Sequence, residues 1–505
     1  MDTFDDWSLT LAVFLPAVGM AAVLLTPKKN EFAQKLITLV TTIVTLGVGI
    51  GILTRYNWDS AGVQLGVSKE WIPLINARYD IGVDGIGLPL LLLSMFITVL
   101  VVIYSWDHFP EPHNPRAFLA LMLLLEVGMN GTFVAQDLIL FFIFFEIVLL
   151  PMFFMIGVWG GENRKYASVK FFLFTLFGSA LMLLGFLALY FIGPNSFSIP
   201  GLTELAQNDD LDIAKNTGLL IFGGLFLGFA IKVPMFPFHT WLPDAHTEAP
   251  TQGSVLLAAI LLKLGTYGFV KIAMPILPEA AESWSPWIGL LAVIGIIYGA
   301  LCCLAQTDMK RLIAFSSVAH MGFVMLGIAS GTTFGMNAAL FGMVAHGLIT
   351  GMLFFVSGSI QHRFHTREMS RLGGLLQQAP KLGWILGFSA MASLGLPGLA
   401  GFWGEFPAVL SAFSPAGDRS EELFRGYMVV AAIGTVLAAG YLLWMFQRVA
   451  FGEVKEEFKE AHIHDVHVSE WIAWLPILAL IVFLGVYPDM LFRYFNAPIS
   501  AIFGA

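Results

Sequence analysis

Charge is scarce in this 505-residue chain: Asp, Glu, Lys and Arg make up 12% of it, against 57% hydrophobic residues that include 45 Phe. No soluble globular domain of this length tolerates that balance, so the composition implies a polytopic membrane protein. Cysteine is nearly missing. The two present, Cys302 and Cys303, are neighbours in an apolar run, where adjacent helical positions point about 100° apart, and no C-x-x-C or Cys/His pattern accompanies them to hold a metal. They read as core thiols. No glycine-rich loop follows a strand pattern, so no nucleotide site is expected, and no nucleic-acid partner either. The start, with Asp2, Asp5 and Asp6 ahead of an apolar run, lacks the basic region and small-residue cleavage site of a signal peptide, so the first run is expected to stay as a helix.

What the chain has is apolar length. A spanning helix needs about 20 apolar residues, and on that rule fourteen runs begin near residues 8, 35, 84, 117, 138, 167, 217, 254, 286, 310, 334, 383, 424 and 470. An all-α integral membrane protein follows. Lys and Arg gather in cytoplasmic connections. One alternating set of connections holds sixteen of them, among them Lys28, Lys29, Arg116 and Lys310; the other holds eight, among them Arg55, Lys215, Lys271 and Arg493. This places both termini on the outer, extracytoplasmic side of the cell (inner) membrane.

Run seven reads GFAIKVPMFPFHTWL. Pro234 and Pro237 each remove a backbone donor and crowd the carbonyl four residues earlier, so the helix is expected to break just after Lys232. Run twelve reads ASLGLPGLAGFWGEF, with Pro397 among glycines and Glu405 behind it. Each is the fourth helix of a five-helix set, and since five is odd the two sets would be related by inversion, an arrangement in which transporters keep ion sites at broken helices. The expected organisation is one membrane domain over 1–505: helices 1–3 (1–116), a first repeat (117–275), an inverted second repeat (286–451) and a last helix (470–495).

Inside these runs stand ionisable residues that are costly in a membrane and hence usually functional. At 1.5 Å per residue, Glu146, Lys232, Lys263, His320 and His346 all fall roughly 12 to 22 Å into a core about 30 Å thick, and Glu405 continues the layer. A row at one depth suits lateral proton transfer. A Glu–Lys pair at about 4 Å and an effective dielectric near 20 is worth about 4 kcal/mol, whereas moving a proton against 100 mV takes about 2.3 kcal/mol. Making and breaking one pair is thus a sufficient switch. The expected relay has Glu146 holding Lys232 charged when they are close, with separation passing a proton toward Lys263, His320, His346 and Glu405. The competing expectation is that the same residues are static ion pairs that fasten helices.

Other residues carry weaker signals. Glu126 and Asn130 share a helix face, which makes Glu126 a further relay member or a buried partner. Asp84 reads as a helix cap. His239, Asp244 and His246, around TWLPDAH, either line a proton access path or cap helices at the interface. His462, His464 and His467 read as a solvated loop without ligand partners.

The stretches FFIFFEIVLLPMFF, AIKVPMFPFHTWLPDAHTEAPTQGSVLLAAILLKLGTYG, AQTDMKRLIAFSSVAHMGF, MVAHGL and LGLPGLAGFWGEF closely resemble the antiporter-like subunits of proton-pumping NADH:quinone oxidoreductase, respiratory complex I. The likeness runs from about run three to run thirteen. Glu405, where L- and N-type subunits have lysine, and the chain end soon after run fourteen resemble the M-type, chain 4. The resemblance implies fourteen helices with two inverted five-helix repeats, a switching pair at Glu146 and Lys232, a central relay at Lys263, histidines His320 and His346 on the hydrophilic axis, and Glu405 facing the next antiporter-like subunit. It also implies that FMN, iron–sulfur clusters and quinone sit on partner subunits, with no cofactor or metal on this chain, and that this chain is part of an enzyme only through the assembly. Multi-subunit cation/proton antiporters and membrane-bound hydrogenases use similar subunits and form the alternative.

Overall fold

A computed structural model describes residues 3–504, leaving Asp2 outside the described residues. Helix α1 (Thr3–Leu25) and α2 (Glu31–Arg55) lead into a two-stranded antiparallel hairpin, β1 (Gln64–Ile72) and β2 (Ala77–Val83). Then follow α3 (Gly87–Tyr104), α4 (Pro115–Val134), α5 (Leu138–Ile147), α6 (Leu149–Trp159), α7 (Arg164–Ile192), α8 (Ile199–Gln207), α9 (Lys215–Lys232) and α10 (Trp241–Glu248). The second half holds α11 (Thr251–Ile276), α12 (Pro278–Leu304), α13 (Met309–Ala329), α14 (Thr333–Phe364), α15 (Pro380–Ser393), α16 (Ala400–Ser411), α17 (Glu421–Ala450), α18 (Val468–Val486) and α19 (Asp489–Phe503).

Among the described residues, twelve helices, with α5 and α6 counted together, are long and apolar enough to cross a membrane. Runs seven and twelve appear instead as the broken pairs α9/α10 and α15/α16. Sequence and structure agree on where helices start to within a few residues, except that α12 begins at Pro278 and carries Pro286 inside it. The hairpin and the amphipathic α19 were not foreseen.

Burial sorts the helices into two shells. The apolar stretches of α11, α13 and α14 are wholly enclosed, whereas those of α1, α2, α7, α17 and α18 are 33–39% buried. The outer helices turn Val18, Val40, Phe177, Leu184 and Val436 outward, as lipid contact requires. Lipid tails are as apolar as leucine, so the inner shell must be held by close packing and hydrogen bonds. Small residues supply the closeness: a Cβ on Gly404 of α16 would stand 2.5 Å from the Cα of Gly342 on α14. Replacing Gly404 with alanine is expected to push these two helices apart and destabilise the fold by about 1–3 kcal/mol, which the thermal midpoint of the purified protein checks.

Both breaks have local causes. Met235 donates to Ala230 rather than to Ile231, and the freed Ile231 carbonyl accepts the Trp241 indole N–H at 2.9 Å. Pro234 and Pro237 cannot repair the ladder because they lack the donor. At the second break Gly395 and Gly398 have φ of 81° and 92°, a backbone that only glycine adopts without strain.

Candidate functional site

The deepest polar structure in the molecule is a row across the inner shell. It starts on α11, where a π turn at Leu257–Leu261 widens the helix just before Lys263; such turns often mark functional positions. Lys263 is fully buried. Its ammonium donates to the Ala258 carbonyl at 2.5 Å and lies 2.7 Å from His346 Nδ1 on α14. The His346 ring lies 6.0 Å, centre to centre, from the His320 ring on α13. His320 Nδ1 is 2.5 Å from the Glu405 carboxylate on α16, and its Nε2 is 3.2 Å from both the Ser393 and Tyr441 hydroxyls. His320, His346 and Glu405 line one narrow cavity together with Thr350 and Ser393. His346 Nε2 has no hydrogen-bond partner.

The other end of the row is looser. Lys232 is the last residue of α9 and is buried, its stem against Gly265 of α11 and its ammonium 4.8 Å from the Phe145 ring centre. Glu146 is half-buried on α5, with Ser179 beside its carboxylate. Pro151 lacks the donor for the Ile147 carbonyl, and α5 gives way to α6 at this point. Among the described residues, no ion pair within 4.0 Å joins Glu146 to Lys232. The two side chains remain electrostatic neighbours without touching.

The remaining candidates fall outside this row. Asp244 pairs with Lys170 at 2.7 Å and Arg311 at 3.4 Å, toward the helix ends. His239 lies between Phe236 and Tyr298, ring centres 5.7 and 5.0 Å away. His246 is fully buried and stacks on Phe354 at 4.5 Å, with neither ring nitrogen bonded. Glu126 is fully buried and unbonded. Asp84 caps α3, accepting from Ile86 and Gly87 N–H, and His467 caps α18. Cys303 is buried and Cys302 half-buried, both free thiols.

Three groups escaped the sequence reading. Lys271, counted there as part of an external connection, lies inside α11, 6% exposed, and pairs with Asp84 at 2.5 Å. The run looked finished before Lys271, but the helix continues to Ile276 through a second π turn at Phe269–Ala273. Lys310, likewise assigned to a connection, is 2% exposed and donates to the Ala249 carbonyl. Lys232 and Lys263 are thus not the only lysines withdrawn from water. Third, Glu470 at the start of α18 is fully buried, accepts from Arg363 at 2.6 and 2.9 Å and from Ser359 at 2.6 Å, and lies 3.1 Å from His108.

Known proteins share this fold. The family described as NADH:quinone oxidoreductase/Mrp antiporter, TM, matches residues 135–417, and that described as NADH-ubiquinone oxidoreductase chain 4, amino terminus, matches residues 11–132. NADH-quinone oxidoreductase subunit M of Rhodobacter capsulatus is 39% identical over 493 residues, covering 95% of this chain and 93% of that one. The subunit M of Rickettsia prowazekii is 37% identical, with 97% and 98% covered. A chain of respiratory complex I from Thermus thermophilus, solved with bound NADH, superposes with a TM-score of 0.86 at 30% identity, covering 98% of this chain and 99% of that one. The Mrp complex from Dietzia sp. shares the fold, with a TM-score of 0.84 at 22% identity over 98% of this chain and 52% of that one. Identity and coverage of this extent make the chain a member of the NADH:quinone oxidoreductase/Mrp antiporter membrane-subunit family, on its chain 4, or subunit M, branch.

Proposed function

We propose that this chain is the M-type proton-translocating subunit of an NADH-quinone oxidoreductase in a cell (inner) membrane, with both termini on the outer side. The observation that carries the reading is the row Lys263, His346, His320, Glu405. Each of these side chains is buried or nearly so, and they lie on four different helices. Lys263 is bonded directly to His346 and His320 to Glu405, and the two imidazole rings stand 6.0 Å apart, centre to centre. Fastening helices takes one bond between each two; a continuous sequence of donors and acceptors is what proton transfer takes.

In this mechanism the ammonium of Lys263 gives a proton to His346 Nδ1. His346 passes a proton from Nε2 across the shared cavity to the Ser393 hydroxyl, which hands its own to His320 Nε2 as His320 Nδ1 delivers one to the Glu405 carboxylate. Ser393 and Tyr441 hold the far nitrogen of His320, which fixes the ring toward Glu405. Lys232 reloads Lys263, and the Glu146 carboxylate sets when Lys232 is charged: at contact the pair is worth about 4 kcal/mol, and in the separated arrangement that hold is gone. The redox chemistry, with its flavin, iron–sulfur clusters and quinone, belongs to partner subunits, as do the neighbouring antiporter-like subunits beside Glu405. The division into two inverted repeats, residues 117–275 and 286–451, belongs to the same proposal.

Lys232→Ala tests the reading. Membranes carrying the assembled variant complex are expected to lose most NADH-driven proton uptake; undiminished pumping removes Lys232 from the relay. A strict dependence of uptake on sodium would favour the cation/proton antiporter reading, which the shared Mrp fold supports.

A further inference from the structure

Glu126 takes part in no bond of the row. It sits on α4 without exposed surface, and neither carboxyl oxygen has a hydrogen-bond partner. One turn on, Asn130 is already committed: it accepts from the Ser94 hydroxyl of α3 at 2.8 Å and donates to the Ala12 carbonyl of α1 at 3.0 Å. The four-residue spacing puts Glu126 on that same side of α4. An ionised carboxyl buried without counter-charge, with only the Asn130 amide beside it, is costly, so the group is carried here as the neutral acid. An acid carried neutral in a membrane interior holds a proton.

A neighbouring helix carries a polar stripe at its depth. Gln34, Thr38, Thr42 and Thr45 recur every three or four residues along α2, and all are fully buried, so this helix turns a polar stripe inward while Val40, Ile43 and Val44 face out. Helix α2 packs against α1, α3 and α4. Helices α2 and α4 begin on the same face of the molecule, since His113 pairs with Glu31 at 2.9 Å and Arg116 reaches the Leu24 carbonyl at 3.4 Å. Thr42 and Glu126 each lie eleven residues along their helices, roughly 16 Å deep. At the shallow end Gln34 donates to the Pro27 carbonyl at 2.9 Å, next to the exposed Lys28 and Lys29, while its Oε1 is unbonded. The Ser8 hydroxyl on α1 is also buried and unbonded. Buried polar groups without protein partners are ordinarily satisfied by water, and three such residues fall within one unit of four helices.

We infer that Glu126 is a second proton-binding site, separate from the row, exchanging its proton along the α2 stripe with the face that bears Lys28 and Lys29. The inference rests on the proposed function for the use made of that proton, but not for the exchange itself. The test is infrared spectroscopy of the assembled complex transferred to heavy water. The carboxylic-acid band of Glu126 is identified by its loss in Glu126→Gln and its displacement in Glu126→Asp; the second variant serves if the first does not assemble. The band is expected to shift on deuteration without unfolding, and severalfold more slowly in the double variant Thr38→Val, Thr42→Val. No such band, a band that shifts only when the complex unfolds, or an equal rate in the double variant overturns the inference. Running Lys263→Met in parallel separates the two readings: normal proton uptake in that variant refutes the proposed function, while the deuteration rate at Glu126 decides this one.

Discussion

Replacing Lys263 with methionine is expected to bring NADH-driven proton uptake down to background, a loss of about a hundredfold or more as for removal of an essential general acid. The amount of assembled complex should stay near normal. Methionine keeps the unbranched stem inside the fully buried site on α11 and adds no polar atom. The two competing views of the row diverge most sharply here. If Lys263 and His346 were a fastener, exchange of a buried ion for an apolar residue of similar volume would be close to neutral or even stabilising, and pumping would survive. If Lys263 is the central proton carrier, no bond in the row substitutes for it, because His346 Nδ1 has no other protein partner. Uptake measured by a pH-sensitive dye in inverted vesicles, normalised to complex content, separates the two.

Replacing Glu470 with leucine is expected to have the largest effect on stability. The carboxylate receives Arg363, Ser359 and the backbone N–H of His467, and so ties α14 to α18. Arg363 is itself only 6% exposed at its side chain. Taking away its partner leaves a buried guanidinium unpaired, which costs about 3–5 kcal/mol, and complex abundance on a native gel and the thermal midpoint should both fall. Adding Arg363→Met is expected to recover much of the loss, since the unpaired charge leaves with it. Failure of the double variant to recover would assign the destabilisation to lost packing.

How far the sequence foretold this molecule depends on how local each signal was. Helix positions came from apolar runs, and both breaks from Pro234, Pro237 and Pro397, features confined to a few residues. Depth along each helix put Lys263, His320, His346 and Glu405 in one layer, where the structure joins them. That layer could not say which nitrogen meets which partner, nor that Glu146 and Lys232 would be apart. The omissions are the pairings of long reach. Asp84 and Lys271 are 187 positions apart and Arg363 and Glu470 are 107, and no periodicity links such residues. The hairpin escaped because its strand residues Gln64–Ile72 are mostly exposed and lack a clean alternation, and α19 because its amphipathic sequence is not long and apolar enough to count as a run.

The row also has an arithmetic of its own. Its two carboxyl groups, Glu146 and Glu405, match its two amines, Lys232 and Lys263, so with all four ionised a further proton, whether on a carboxylate or on His320 or His346, leaves the row one positive charge in excess. Such a surplus charge in a buried site carries a steep self-energy, so each arrival repels the next. If the row carries protons, this stoichiometry favours their passing one at a time.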